Sequence, residues 1–110
     1  MKYLVTIERI GASPTSHQEV IQELEQVVIP HFELIMRLEA ERKILASGVY
    51  TGERAGVLIM DVDSNEELDR LLMSIPGWEL FKIDVTPLQS CEGRIKIARQ
   101  ILEHLKTAQR

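Results

Sequence analysis

With a single cysteine, Cys91, this 110-residue chain cannot close an intramolecular disulfide, so core packing rather than covalent staples must hold it together. Long apolar runs are missing too, and none approaches the ~20 residues that a membrane-spanning helix needs. The opening MKYLVTIERI meets Glu8 and Arg9 before an apolar signal-peptide core can build up. The expectation is a cytoplasmic protein with no membrane partner. Cations are in short supply: 13 Lys and Arg stand against 17 Asp and Glu, for a net charge of −4. Phosphate recognition needs clustered Lys and Arg, so nucleic acid is disfavoured as a partner. His17, His31 and His104 are too scattered to suggest a zinc site. There is no phosphate-cradling glycine loop and no serine-centred elbow.

What remains is ordinary for one globular domain, with 45% hydrophobic and 27% charged residues. The charge is unevenly spread. Arg94, Lys96, Arg99, Lys106 and Arg110 against Glu92 and Glu103 give residues 92–110 a charge of +3 and leave −7 on the rest. Such a tail can seek an anionic surface, but complementing an acidic face of its own protein or a neighbouring subunit is the commoner use.

Hydrophobic periodicity lays out the elements. Residues 2–8 alternate as a strand with Tyr3, Val5 and Ile7 on one face. Ser16 and Glu19 have capping-box spacing, and Ile21, Leu24, Val28, Phe32 and Ile35 then step along a helix reaching about Arg42. Pro30 lies inside that pattern and predicts a kink or break, since it lacks a donor and crowds the carbonyl four residues back. Strands are predicted over 44–52 and 55–62, the second apolar on both faces and therefore central. Ser64 and Glu67 repeat the capping box before Leu68, Leu71, Leu72 and Ile75; Pro76-Gly77 stops that helix, and Phe81, Ile83 and Val85 alternate in a last strand. Ile95, Ala98, Ile101, Leu102 and Leu105 mark an amphipathic helix over 92–106.

The order β-α-β-β-α-β plus a helical tail predicts an α+β fold: a ferredoxin-like βαββαβ sandwich over 1–90, with an extension over 91–110. Helices cover only one face of such a sheet. The third strand carries Val57 and Ile59 on one side and Leu58, Met60 and Val62 on the other. An apolar sheet face left wet is a liability, so a homo-oligomer is expected, two sheets packing face to face into a dimeric α/β barrel.

The run DVDSNEELDRLLMSIPGW, then a strand ending VTPL, resembles the muconolactone delta-isomerase family; the MKYLVTI opening and RLEAERKILASG agree with it over roughly residues 1–90. The resemblance implies ferredoxin-like subunits paired into α/β barrels, and a double-bond shift in a small unsaturated lactone with no metal or cofactor. The family's tryptophan-arginine pair is replaced here by SGVYTGERAG, and its histidine-proline-serine motif by LQSCEG. No catalytic residue is therefore carried over by motif.

Double-bond migration needs a group to remove a carbon-bound proton and a group to return it, in a water-poor pocket. His31, beside the stripe of Phe32 and Ile35, is the candidate acid–base residue; the competing reading is a histidine capping backbone groups freed by Pro30. Lys82 and Asp84, on one face of the last strand, are candidates to polarise a carbonyl and take a proton, against a plain role in ion pairing. Tyr50 and Arg54 flank a reversal where a substrate carboxylate can be held, although a surface arginine is commoner. Trp78 is a candidate for the pocket mouth or for packing. Cys91 is a poor nucleophile candidate with no histidine near it in sequence. The alternative to an isomerase is a non-catalytic barrel that binds a small ligand or serves assembly; a cavity of roughly 300 Å³ or more separates ligand handling from pure assembly.

Overall fold

The computed structural model describes residues 1–109. Strand β1 (Lys2–Arg9) is followed by helix α1 (His17–Glu23), a π turn (Leu24–Val28) and helix α2 (Ile29–Ala40). Strands β2 (Ile44–Val49) and β3 (Ala55–Asp61), helix α3 (Asn65–Met73), a 3-10 turn (Trp78–Leu80), strand β4 (Phe81–Leu88) and helix α4 (Cys91–Ala108) complete the chain. The four strands form one antiparallel sheet in the order β2-β3-β1-β4. This is the ferredoxin-like arrangement, with the central strands β1 and β3 supplying the most buried positions.

Three helix starts follow their side chains. Ser16, Ser64 and Ser90 each accept a hydrogen bond from the backbone N–H three residues on. The capping boxes differ from the standard form in one respect: Glu19 and Glu67 reach back one residue further and accept from Thr15 N at 3.0 Å and Asp63 N at 3.1 Å. Glu67 is shared with Lys43, whose Nζ lies 2.6 Å away; that bond raises the Lys43 pKa and lowers that of Glu67.

Pro30 does not break the first helix. Immediately before it the chain widens into the π turn, where Ile29 N–H reaches back five residues to Leu24 O. Backbone angles stay helical through Val28 and Ile29, and Pro30 falls in the first turn of α2, where a missing donor is harmless. The helix ends at Ala40 rather than Arg42 because Arg42 itself turns left-handed (φ 60°), letting Lys43 N–H bond back to Leu38 O at 2.9 Å. Strand β2 stops at Val49, three residues short of the expected end, and Leu45 bulges between Ile44 and Ala46.

The core lies between the sheet and the helices. Tyr3, Val5 and Ile7 of β1 and Leu58 and Met60 of β3 face Leu34, Ile35 and Leu38 of α2 and Leu68 and Leu72 of α3. Register puts Leu4, Thr6, Val57 and Ile59 on the other face, half-buried and uncovered by any helix of the sandwich. Helix α4 buries none of its side chains, and the molecule is accordingly long, 73 × 28 × 23 Å.

Candidate active site

A cavity of about 390 Å³ opens between the α1–π–α2 helix and the ends of β1, β2 and β3. Two i, i+4 ladders from the helix form one wall: Val20, Leu24, Val28 and Phe32, and Glu23, Val27, His31 and Ile35. Such ladders drift round an uninterrupted α-helix. Eight residues at about 100° each would leave His31 some 80° away from Glu23. The extra residue that a π turn accommodates brings the two within roughly 20° of each other, so both meet the same cavity. The opposite wall is sheet, and Gly56 provides its depth: a Cβ there would sit 2.8 Å from Gly48 O on β2.

His31 is buried in this chamber, 7% exposed. Its ring meets Phe32 edge-on and Phe81 at a tilt, with centroids 5.2 Å away in both cases. Burial lowers its pKa, because these aromatic neighbours offer nothing to replace water around an imidazolium. Nδ1 is sealed from solvent without a hydrogen-bond partner.

The polar rim is a network centred on Arg9. Its guanidinium holds Glu23 Oε1 at 2.7 Å and Ala12 O at 3.3 Å, and also bonds Ile10 O; both members of the ion pair are largely buried. Arg9 Nε, like His31 Nδ1, is sealed and unpartnered, and both residues line this cavity. Arg54 lines the mouth, with one Nη1 bond of 3.3 Å to Ser13.

Of the six residues singled out from sequence, His31 and Arg54 meet at this cavity. Tyr50 and Trp78 lie outside its lining, both about 40% exposed; Tyr50 N–H closes the β2–β3 turn onto Ala55 O at 2.9 Å. Lys82 and Asp84 do share a face, but pairing Glu8 with Lys82 and Thr6 with Asp84 puts both on the uncovered side of the sheet, where their charged groups stand 3.8 Å apart. Strand alternation located that face without telling which side held the helices. Arg9 and Glu23 went unnoticed in sequence. The available signal was a charge at a core-facing position: Arg9 continues the inward series Tyr3, Val5, Ile7, and Glu23 stands eight residues before His31.

The muconolactone delta-isomerase profile matches residues 1–92. The chain belongs to that family. Among solved structures, a muconolactone isomerase crystal structure shares 23% identity, covering 82% of this chain and 90% of the other, with a TM-score of 0.68. A 5-chloro-2-hydroxyhydroquinone dehydrochlorinase from Burkholderia phenoliruptrix, in complex with 2,5-dihydroxybenzoquinone, shares 22% identity over 84% of this chain and 98% of that one, with a TM-score of 0.57. At these identities the structural likeness shows the fold. No curated protein matches the chain. Membership of the isomerase family covers the sandwich and its cavity, and all but the start of α4 lies beyond the matched span.

Proposed function

We propose that this family member is a cofactor-free isomerase that moves a carbon-bound proton in a small, anionic, oxygenated ring compound bound in the α1–α2 cavity. The observation that carries the reading is His31: a histidine whose burial favours the neutral ring, set in an apolar chamber with arginines at the rim. A neutral imidazole offers a substrate oxygen an N–H donor, and a dry chamber strengthens each polar contact it makes. Arg54 at the mouth suits a carboxylate, since its guanidinium carries no acidic partner among the described residues. The names of both structural relatives, a lactone isomerase and a hydroxyhydroquinone dehydrochlorinase, point to oxygenated ring compounds of this size. The cavity exceeds the roughly 300 Å³ expected of a ligand site, which favours ligand handling over a purely assembling barrel.

The reading includes a homo-oligomer. The half-buried Leu4, Val57 and Ile59 on the uncovered sheet face favour pairing of two sheets, and the wet apolar stripe of α4 favours a neighbouring subunit as its partner. Cytoplasmic residence is part of the same reading, since an exposed lone thiol such as Cys91 stays reduced there.

Muconolactone in deuterated water, followed by proton NMR, tests the activity. The expected result is double-bond migration, with deuterium entering the product only as far as the base exchanges its proton with solvent between steps, at a rate reduced at least ~100-fold by His31→Gln. A protein that neither exchanges nor isomerises this substrate removes the muconolactone assignment.

A further inference from the structure

Arg9 and Glu23 complete the polar part of the cavity and bear on how His31 works within it. Nδ1 of His31 is sealed with no acceptor in reach. A proton placed on Nδ1 would therefore bury an N–H donor with nothing to bond, an arrangement folded proteins rarely tolerate. The neutral ring accordingly carries its hydrogen on Nε2, the nitrogen that is not sealed. In that tautomer the ring presents a donor, not a lone pair, to whatever enters the chamber. An imidazolium would require the same unpaired Nδ1–H, so taking a second proton is disfavoured as well. A neutral histidine donor is suited to holding a carbonyl oxygen on which charge develops.

The base must then be another group, and two carboxylates line the chamber, Glu23 and Glu53. Glu53 is exposed at the β2–β3 turn. The Glu23 side chain is 18% exposed, fixed through Oε1 by Arg9, and set on the same side of the helix as His31 by the π turn between them. A single widened turn at a site of this kind is a recurring functional device.

We propose that Glu23 is the base that lifts the carbon-bound proton, while His31 holds the substrate's carbonyl oxygen through Nε2–H and Arg9 keeps Glu23 in place. This division of roles rests on the cavity being the isomerisation site. Glu23 removes the proton from the saturated carbon at the far end of the conjugated system; the C–H electron pair forms the new carbon–carbon double bond, the existing one shifts to the carbonyl carbon, and the carbonyl π electrons move onto oxygen. The His31 hydrogen bond stabilises that oxygen. The protonated Glu23 then delivers the proton to the carbon next to the carbonyl as the electron pair returns from oxygen. The double bond has moved, both side chains are restored, and no oxidant or co-reactant is consumed.

Three variants and one spectrum test it. Glu23→Gln is expected to lower kcat for muconolactone isomerisation at least ~100-fold with KM within about threefold. Glu23→Asp, which keeps the carboxylate, is expected to recover about tenfold or more over Glu23→Gln, separating base chemistry from support of Arg9. In the unaltered protein, nitrogen-15 shifts of His31 are expected to show one neutral tautomer, protonated at Nε2, at pH 7 to 8. Full isomerisation activity in Glu23→Gln, or an Nδ1–H or doubly protonated His31 in that spectrum, overturns the assignment. Isomerisation lost in His31→Gln but kept in Glu23→Gln overturns this division of roles alone; no isomerisation by the unaltered protein overturns it together with the proposed activity.

Discussion

His31 gives the chain a pH response whose sign follows from its surroundings. In the unfolded chain the ring titrates at its ordinary value near 6.5, whereas burial against Phe32 and Phe81 lowers the folded value. Below pH 6.5 the unfolded state therefore binds a proton that the folded state resists. The contribution is complete above that pH and is lost progressively as pH falls toward the lowered folded value, with a slope of at most about 1.4 kcal/mol per pH unit. Urea midpoints measured at pH 7.5 and 5.5 are expected to show the native protein losing stability on the acid side, and His31→Gln losing less. Equal losses in both would place the acid sensitivity elsewhere. His31 was legible in sequence because a titratable ring stood beside an apolar stripe. Its unpaired Nδ1 was not, since that depends on which neighbours from β4 and α2 close round the ring.

The elements divide according to whether local chemistry or distant packing decides them. Ser16 and Ser64 could be read as caps because a hydroxyl three residues from its target needs nothing from the rest of the fold. The π turn could not, because Pro30 announces that something must give without saying how; the chain yields by widening rather than breaking, which keeps Glu23 and His31 on one wall. Arg42 took a left-handed cap in which glycine is the usual residue, so no sequence signal marked the end of α2. Gly48 and Gly56 looked alike in sequence and differ in space. A methyl at Gly56 meets Gly48 O at 2.8 Å and must push β2 away, whereas a methyl at Gly48 meets nothing within 4 Å. Gly56→Ala is expected to cost about 1–3 kcal/mol in denaturant unfolding, as overpacking does. Gly48→Ala should cost well under that, because only backbone and strand preferences change. Equal, small costs would show that β2 gives way freely and that the cavity wall is not fixed by the absent side chain.

At the scale of the molecule, the sandwich satisfies itself on one side only. Its helices close over Val5, Leu58 and Met60, while Leu4, Val57 and Ile59 have no cover beyond neighbouring side chains, and Ile95, Ile101, Leu102 and Leu105 of α4 are each about half exposed. An isolated helix of this length is marginal in water without a packed face. Its +3 charge, against −7 on residues 1–91, adds an attraction between tail and body to the proposed assembly that acts over distances near a Debye length. Light scattering at micromolar concentration is expected to give a mass of at least twice the 12.6 kDa of one chain. Removing residues 91–110 should shift the assembly toward smaller species, and added salt should weaken the full-length assembly more than the truncated one, because only the former has the cationic tail. Gly48→Lys separates the two contacts. Its Cβ meets nothing within the subunit, so the fold should survive, but Gly48 pairs with Val57 on the uncovered face, where a lysine would keep two sheets apart. Loss of dimer with retained circular dichroism is the expected outcome. A Gly48→Lys protein that keeps its oligomer would move the interface off the sheet and leave α4 as the remaining contact.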